Sequence, residues 1–261
     1  WMYHFGDNMV SIGFVVGLDY ENPYLSPFNE MQRFKTHPAI KAYLEGGRRV
    51  AYGARALVEG GFQSQPKLTF PGGVLVGDTA GFLNVPKIKG NHLAMKSGMI
   101  AAEAIVEHLK AGSGREVTGY QSAYEKSWVH KELYKVRNIR PGFHWGLLFG
   151  IIHAGFQTIG GWMLPYTLRN HADFKQLKKA KDSVAIDYPK PDGVLTFDRL
   201  TSVQLSNTMH EEDQPSHLKL KDPSIPIMVN LPEFAEPAQR YCPAAVYEIV
   251  EEAGEKKFVI N

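Results

Sequence analysis

The chain has 261 residues, 44% of them hydrophobic, enough to bury one large core or two modest ones. Its formal net charge of +2, with basic residues spread out, argues against nucleic acid or acidic substrates as partners. A single cysteine, Cys242, excludes a disulfide framework within the chain and fits a reducing compartment.

In chain order, residues 9–18 predict a strand rich in β-branched and aromatic side chains. Asn22-Pro23 and Ser26-Pro27 supply turn chemistry, and Ser26 as N-cap with Pro27 at the first helical position predicts a helix through Phe28, Met31 and Phe34. His37-Pro38 interrupts it, and Ile40, Tyr43 and Leu44 continue a second short helix to Gly46-Gly47. Residues 49–57 then predict a further strand. Val74-Leu75-Val76 reads as a short buried strand ending at Gly77-Asp78. A glycine-broken loop follows, and a long helical pattern opens near Gly90.

Within that pattern, residues 94–109 carry a 3.6-residue apolar stripe of Met95, Met99, Ala102, Ile105, Val106 and Leu109. The stretch 111–114, AGSG, stops it. A second helix is predicted over about 118–136, its rings Tyr120, Tyr124 and Trp128 serving as core with Leu133 and Val136. The basic run 178–181 reads as a solvated helix face. Beyond Leu168, prolines at 189, 191, 215, 223, 226, 232, 237 and 243 exclude long helices and predict an irregular domain. No internal repeat or low-complexity segment is present.

From Pro141 to Leu168 there is no Asp, Glu, Lys or Arg. Inside it, residues 143–164, FHWGLLFGIIHAGFQTIGGWML, are long enough to be weighed as a membrane span, which takes about 20 residues. Five glycines, two histidines and Gln157 dilute it for that purpose. Trp145 and Trp162 sit near its ends, where interfacial rings prefer to lie, and Arg137, Arg140 and Arg169 flank it where headgroups would be. A helix half-immersed in one leaflet is the expectation, with a buried core helix and a span as alternatives. Its expected lipid contacts are Phe143, Trp145, Leu148, Ile152, Phe156 and Trp162.

Cys242 stands in Tyr241-Cys242-Pro243-Ala244. A lone cysteine is ordinarily a small buried hydrophobe, yet Cys-Pro also occurs beside iron–sulfur clusters. Upstream, His210, His217, Glu211, Glu212 and Asp213 invite a metal reading. Their spacing suits a turn, without a convincing fourth ligand, and they read as a solvated loop.

The order strand, Gly-Asp, loop and glycine-led helix resembles the second flavin-binding segment of FAD proteins of the glutathione-reductase type. The wording GFLNVPKIKG (81–90) narrows the resemblance to the electron-transfer flavoprotein–ubiquinone oxidoreductase family, and VVGLDYENPYLSP, YGARALVEGGFQSQPKLTFPGG, WVHKELYKVRNIRP and DQPSHLKLKDPSIP extend it over nearly the whole chain. The resemblance implies that Asp78 takes a ribityl hydroxyl and that the helix N-terminus faces the electron-rich rim of the isoalloxazine. A reduced flavin carries negative charge there and gains from free backbone N–H groups and a positive dipole end. Gly77, Asp78, Gly90, Asn91 and His92 are thereby the expected flavin-binding residues, with Lys87 and Lys89 adding positive charge. No acid–base catalytic residue is expected.

The same resemblance makes Cys242 the first ligand of a [4Fe-4S] cluster, the other three thiolates following about two dozen residues later in a C-x₂-C-x₂-C run. With that run and the usual G-x-G-x-x-G loop missing, the chain is expected to be the middle to late part of a longer protein. The implied fold is α/β with α+β additions. It comprises part of a ubiquinone-binding domain (1–70), the C-terminal part of an FAD-binding domain (71–190, with the membrane-surface segment 143–164), and the start of a ferredoxin-like 4Fe-4S domain (191–261). The implied activity passes electrons from reduced electron-transfer flavoprotein through cluster and FAD to membrane ubiquinone. The implied location is peripheral, on the cytoplasmic face of a bacterial inner membrane or the matrix face of the mitochondrial one. Two rivals stand beside it: a cluster-free flavoprotein dehydrogenase of the nitrogen-fixation-associated type, and an inert membrane-binding remnant.

Overall fold

The computed structural model of the chain describes every residue except Ser113, Glu212, Ser216 and His217, so the loop reading given to Glu212 and His217 lies outside the described residues. The architecture mixes helix and sheet and divides into two units, residues 1–55 with 172–261, and residues 56–171. Among the described residues the sheet is sparse: three separate two-stranded antiparallel ladders.

In the first unit, strand Met2–Phe5 pairs with strand Met9–Ile12, and the ladder closes where Gly13 and Trp1 exchange backbone bonds. The strand predicted to reach residue 18 is formed only over Met9–Ile12. Helix Pro27–Lys35 forms as its start signals dictate: Ser26 Oγ accepts the Asn29 N–H at 3.3 Å, and Pro27 opens the first turn. His37 caps the single turn Pro38–Lys41. The strand predicted at 49–57 does not form. Arg49 instead donates to Ser202 Oγ (2.6 Å) and Thr201 Oγ1 (3.2 Å), so side chains of helix Arg199–Gln204 hold this segment where a strand would need a ladder.

The helices described in the 172–261 stretch are short, as expected: Arg199–Gln204 is six residues capped by Asp198, and the π-helix Pro226–Asn230 runs directly into the single turn Leu231–Phe234. The Asp192 carboxylate accepts the backbone N–H groups of Thr196, Val194 and Leu195, which hold its pKa well below the ordinary range. Strands Tyr247–Glu252 and Glu255–Ile260 form a hairpin whose two-residue turn, Ala253-Gly254, has both φ angles positive.

The second unit is built on the long helix Asn91–Ala111, which ends at the left-handed Gly112 (φ 60°). Its buried face is Leu93, Ser97, Ile100, Ala101 and Ala104, packed with Leu68, Ala80, Phe82, Tyr120, Tyr124, Val129 and Leu133. This is not the predicted stripe. Met95, Met99, Val106 and Leu109 point outward, Met99 55% exposed. The helix is apolar on two faces, and the face with small residues is the one that lets neighbouring helices approach. The expected single helix over 118–136 is two, Gly119–Lys126 and Trp128–Val136. Ser127 turns extended between them and donates its hydroxyl to Tyr124 O. Tyr120 and Tyr124 are buried with their hydroxyls on Leu75 O and Gln65 Oε1, and burial pushes both phenols up to about 12. The predicted strand 74–76 shrinks to the two-residue strand Gly73–Val74, with Val76 exposed.

In this chain, Phe82→Ala should lower the unfolding free energy by about 3–5 kcal/mol, because Phe82 is fully enclosed and stacked on Tyr124. Met99→Ala should change it by about 0.5 kcal/mol or less. Urea denaturation of the two variants checks the assignment of faces.

Candidate functional site

Gly77-Asp78 follows strand Gly73–Val74 and turns directly onto the first two turns of the long helix. The Gly77 N–H donates to Ser97 Oγ at 3.0 Å, and Ser97 Oγ donates to Ala94 O at 2.8 Å. Gly77 has φ 62°, and a Cβ there would lie 3.2 Å from that of Ala94. The two halves of the sequence motif are thus brought together. Asp78 is half-buried; its Oδ1 accepts the Val58 N–H at 3.4 Å, and its second oxygen has no partner among the described residues.

At the helix start, a Cβ on Gly90 would meet Leu83 Cδ1 at 3.0 Å and Phe82 O at 3.3 Å, so a larger residue would crowd the loop as it closes here. No side chain caps this terminus, its first turn holds no acidic residue, and Asn91 and His92 are exposed. Their amides are the unsatisfied donors every helix begins with.

Glu132, on helix Trp128–Val136, is a residue the sequence reading missed. Its Oε1 accepts from Asn84 Nδ2 (2.7 Å), His92 Nε2 (3.1 Å) and Lys87 Nζ (3.4 Å). The His92 ring also stacks on Trp128 at 5.9 Å. Partial burial opposes the Glu132 charge, but the bonds from Asn84 and His92 and the Lys87 charge outweigh it and hold the carboxyl below its ordinary pKa. Lys87 is therefore spent largely on Glu132, and the Lys89 ammonium donates to Ile88 O. The separation of 40 residues between His92 and Glu132 hid this knot from any local pattern.

The uncharged run folds as helix Leu147–Ile159, thirteen residues or about 20 Å, against roughly 30 Å for a hydrocarbon core. Among the described residues, no helix is long and apolar enough to cross a membrane. Its polarity is inverted. Gly150 and Gln157 are buried, while Leu147, Leu148, Phe149, Ile151, Ile152, Phe156 and Ile159 are exposed. Phe143 and Trp145, in the turn before it, are exposed as well; Trp162, in the turn after, is half-buried under the Lys135 ammonium at 5.1 Å. On the inner side, His153 Nε2 lies 3.0 Å from Tyr166 OH, to which Gln157 also donates. Burial lowers the His153 pKa. Gly142 leaves the room its ring occupies.

Arg137, expected at the headgroups, is 2% exposed. Its guanidinium donates to the carbonyls of Tyr134 (2.8 Å), Trp162 (3.0 Å), Leu164 (2.9 Å) and Tyr166 (2.9 Å), and to Thr167 Oγ1 (3.0 Å). All its donor groups are used, so it ties the chain leaving the apolar helix to helix Trp128–Val136. Arg169 remains exposed, and Arg140 is half-buried.

In the other unit, Cys242 ends the turn Ala238–Tyr241 and is buried. Its Sγ accepts the Val246 N–H at 3.4 Å, and its carbonyl accepts Arg199 Nη1 at 3.1 Å. Among the described residues, no group of three or more His, Cys, Asp or Glu side chains could hold a metal ion.

Two family models match this sequence: "ETF-QO, ubiquinone-binding" over residues 1–57, and "Electron transfer flavoprotein-ubiquinone oxidoreductase, 4Fe-4S" over residues 193–261. The mitochondrial electron transfer flavoprotein-ubiquinone oxidoreductase of Sus scrofa is 56% identical over 96% of this chain and 42% of its own length. The Pseudomonas aeruginosa enzyme of that name is 54% identical over 100% and 48% respectively. The chain belongs to the electron transfer flavoprotein-ubiquinone oxidoreductase family. It spans about half the length of the curated relatives it matches.

Membership brings two cofactors to be tested against the residues present. A [4Fe-4S] cluster needs four thiolates, and these 261 residues hold one cysteine, so they do not make up its donor set. The flavin fares differently. An uncapped, exposed helix start without acidic residues, beside a carboxylate with one oxygen unused, suits an electron-rich ring edge and a sugar-like hydroxyl.

Arg137→Met should destabilise this chain by about 3–5 kcal/mol in urea unfolding, since buried carbonyls lose their donors. Glu132 has a depressed folded pKa, so its contribution is present above the unfolded carboxylate value, about 4.3, and is lost as pH falls through the folded value. Thermal unfolding of the wild type and Glu132→Gln should accordingly differ at neutral pH and converge in acid.

Proposed function

We propose that the chain is part of an enzyme that takes electrons from reduced electron-transfer flavoprotein and delivers them to membrane ubiquinone, giving ubiquinol. The observation that carries this is the identity of more than half the residues with named oxidoreductases over essentially the whole chain, joined by matches to ubiquinone-binding and 4Fe-4S models. In this reading residues 1–70 contribute to the ubiquinone-binding domain, 71–190 to a glutathione-reductase-type FAD-binding domain, and 191–261 to the approach to the 4Fe-4S domain.

FAD, when bound, supplies the exchange between one-electron and two-electron steps. The chain's own part is to hold and bias it. Asp78 accepts a ribityl hydroxyl through its unused oxygen, and Gly77 sets that carboxylate against the helix. Gly90 clears the approach to the helix start, where the Asn91 and His92 amides meet developing negative charge. Glu132 fixes His92 and the 84–89 loop. Cys242 contributes one thiolate to the cluster.

The inverted helix supports the membrane reading. A helix with Gln157 inside and Leu148, Ile152 and Phe156 outside is favoured against an apolar surrounding. At thirteen residues it lies in one leaflet, with Phe143 and Trp145 at its entry and Trp162 at its exit. The location that follows is peripheral, on the cytoplasmic face of a bacterial inner membrane or the matrix face of the mitochondrial one. Ubiquinone's isoprenoid tail gives the docking its purpose, since it is insoluble in water.

The full-length protein, given reduced electron-transfer flavoprotein and a soluble ubiquinone analogue, should form ubiquinol; no turnover with flavin and cluster in place would refute the assignment. Asp78→Ala in the same protein should increase FAD loss during gel filtration, read from the flavin absorbance. Unchanged retention would remove the ribityl role.

A further inference from the structure

A groove of about 680 Å³ opens beside the exit of the apolar helix, lined by Lys87, Glu125, His130, Lys131, Glu132, Tyr134, Lys135 and Trp162. Its charges are not equally committed. Glu132 is held by Asn84, His92 and Lys87, and Glu125 accepts from Gln121 Nε2 at 2.7 Å. Lys131 and Lys135 lie one helical turn apart on the same face of helix Trp128–Val136, and both are exposed. Neither has a carboxylate partner among the described residues. Lys135 is held over the Trp162 ring, which fixes one ammonium group at the groove wall. With Lys87, Lys131 and Lys135 set against Glu125 and Glu132, the lining keeps a net positive charge of one, and it also carries the Trp162 indole and the Tyr134 phenol.

Its position decides what such a set can take. Trp162 belongs both to this groove and to the return from helix Leu147–Ile159, and Met163 and Leu164 beyond it are exposed apolar side chains. A ligand filling the groove would have a negatively charged part between the lysines and would adjoin an apolar surface. We propose that the groove binds the phosphate-bearing headgroup of an anionic phospholipid whose acyl chains lie along the apolar helix. The proposal rests on the membrane reading of that helix and adds to it a lipid preference. Arg137, one of the three arginines the sequence offered at the headgroups, is consumed internally, so within the groove the free positive charge comes from Lys131 and Lys135 on helix Trp128–Val136.

The test is vesicle flotation of the full-length protein with phosphatidylcholine alone and with phosphatidylcholine containing phosphatidylglycerol, at fixed ionic strength. The wild type should bind the anionic vesicles more tightly. Lys131→Gln with Lys135→Gln should lower that binding about tenfold or more while leaving binding to phosphatidylcholine in place, which also reports that the variant is folded. Lys131→Arg with Lys135→Arg should keep the preference. Equal wild-type binding to both vesicle types, or a preference undiminished in the glutamine variant, would overturn the site while sparing the membrane reading. No binding to either vesicle would overturn both. If the wild type binds inorganic phosphate by calorimetry and shows no vesicle preference, the groove takes a soluble phosphate compound and the lipid assignment falls.

Discussion

The Arg137 guanidinium is the interaction on which the second unit's surface depends. A buried cation without hydrogen bonds costs several kcal/mol, and among the described residues no carboxylate pairs with this one; instead four backbone carbonyls and a threonine hydroxyl share it. Asn138 and Gln63 extend the lock. Asn138 donates to Tyr166 O and accepts from Leu168 N, while Gln63 donates to the carbonyls of Arg137 and Leu168. The return segment 162–168 is thereby pinned largely through its backbone, with the Thr167 hydroxyl added. That leaves the preceding helix free to expose an apolar face that would otherwise collapse inward.

What the pinned segment presents is a reversal of the usual soluble pattern. Among the described residues, the buried Gln157 side chain has no partner for its carbonyl oxygen and His153 none for its Nδ1, both residues lying close to Tyr166. Leucine, isoleucine and phenylalanine side chains occupy the outside. Burying polar groups under an exposed apolar surface is unfavourable in water and favourable beside hydrocarbon. The fold and the proposed surrounding are consistent on that point, and the glycines at 142 and 150 admit the His153 and Phe143 rings at close range.

The other unit shows how distant stretches build one environment. The two regions matched by the family models, residues 1–57 and 193–261, fall largely within it. Cys242 is framed by both: Arg199 reaches its carbonyl and also lies 5.6 Å over the Phe28 ring, and Tyr52 OH donates to Pro243 O at 3.2 Å. Burial lowers the pKa of Arg199 and raises that of Tyr52, so two polar side chains are held in a partly desolvated shell around the thiol. The bond to Pro243 lies in the proline-stiffened YCPA turn that the sequence singled out.

Local chemistry alone determined the Ser26-Pro27 helix start, the Gly112 stop, the short elements of the proline-rich stretch, and the length and apolarity of the 143–164 segment. Each of these depends on residues within a turn or two of one another, where φ restriction, capping and hydrophobic count act directly. Tertiary structure decided the rest. It chose the small-residue face of the long helix over the methionine face, because two apolar faces have the same period and only packing distance separates them. It took Arg137 inward and left Lys131 and Lys135 outside, since a side chain's charge is legible in sequence but its partners, here carbonyls 25 to 29 residues away, are not. The same reason hid Glu132, whose three bonds reach back 40 to 48 residues to the loop and helix start it secures.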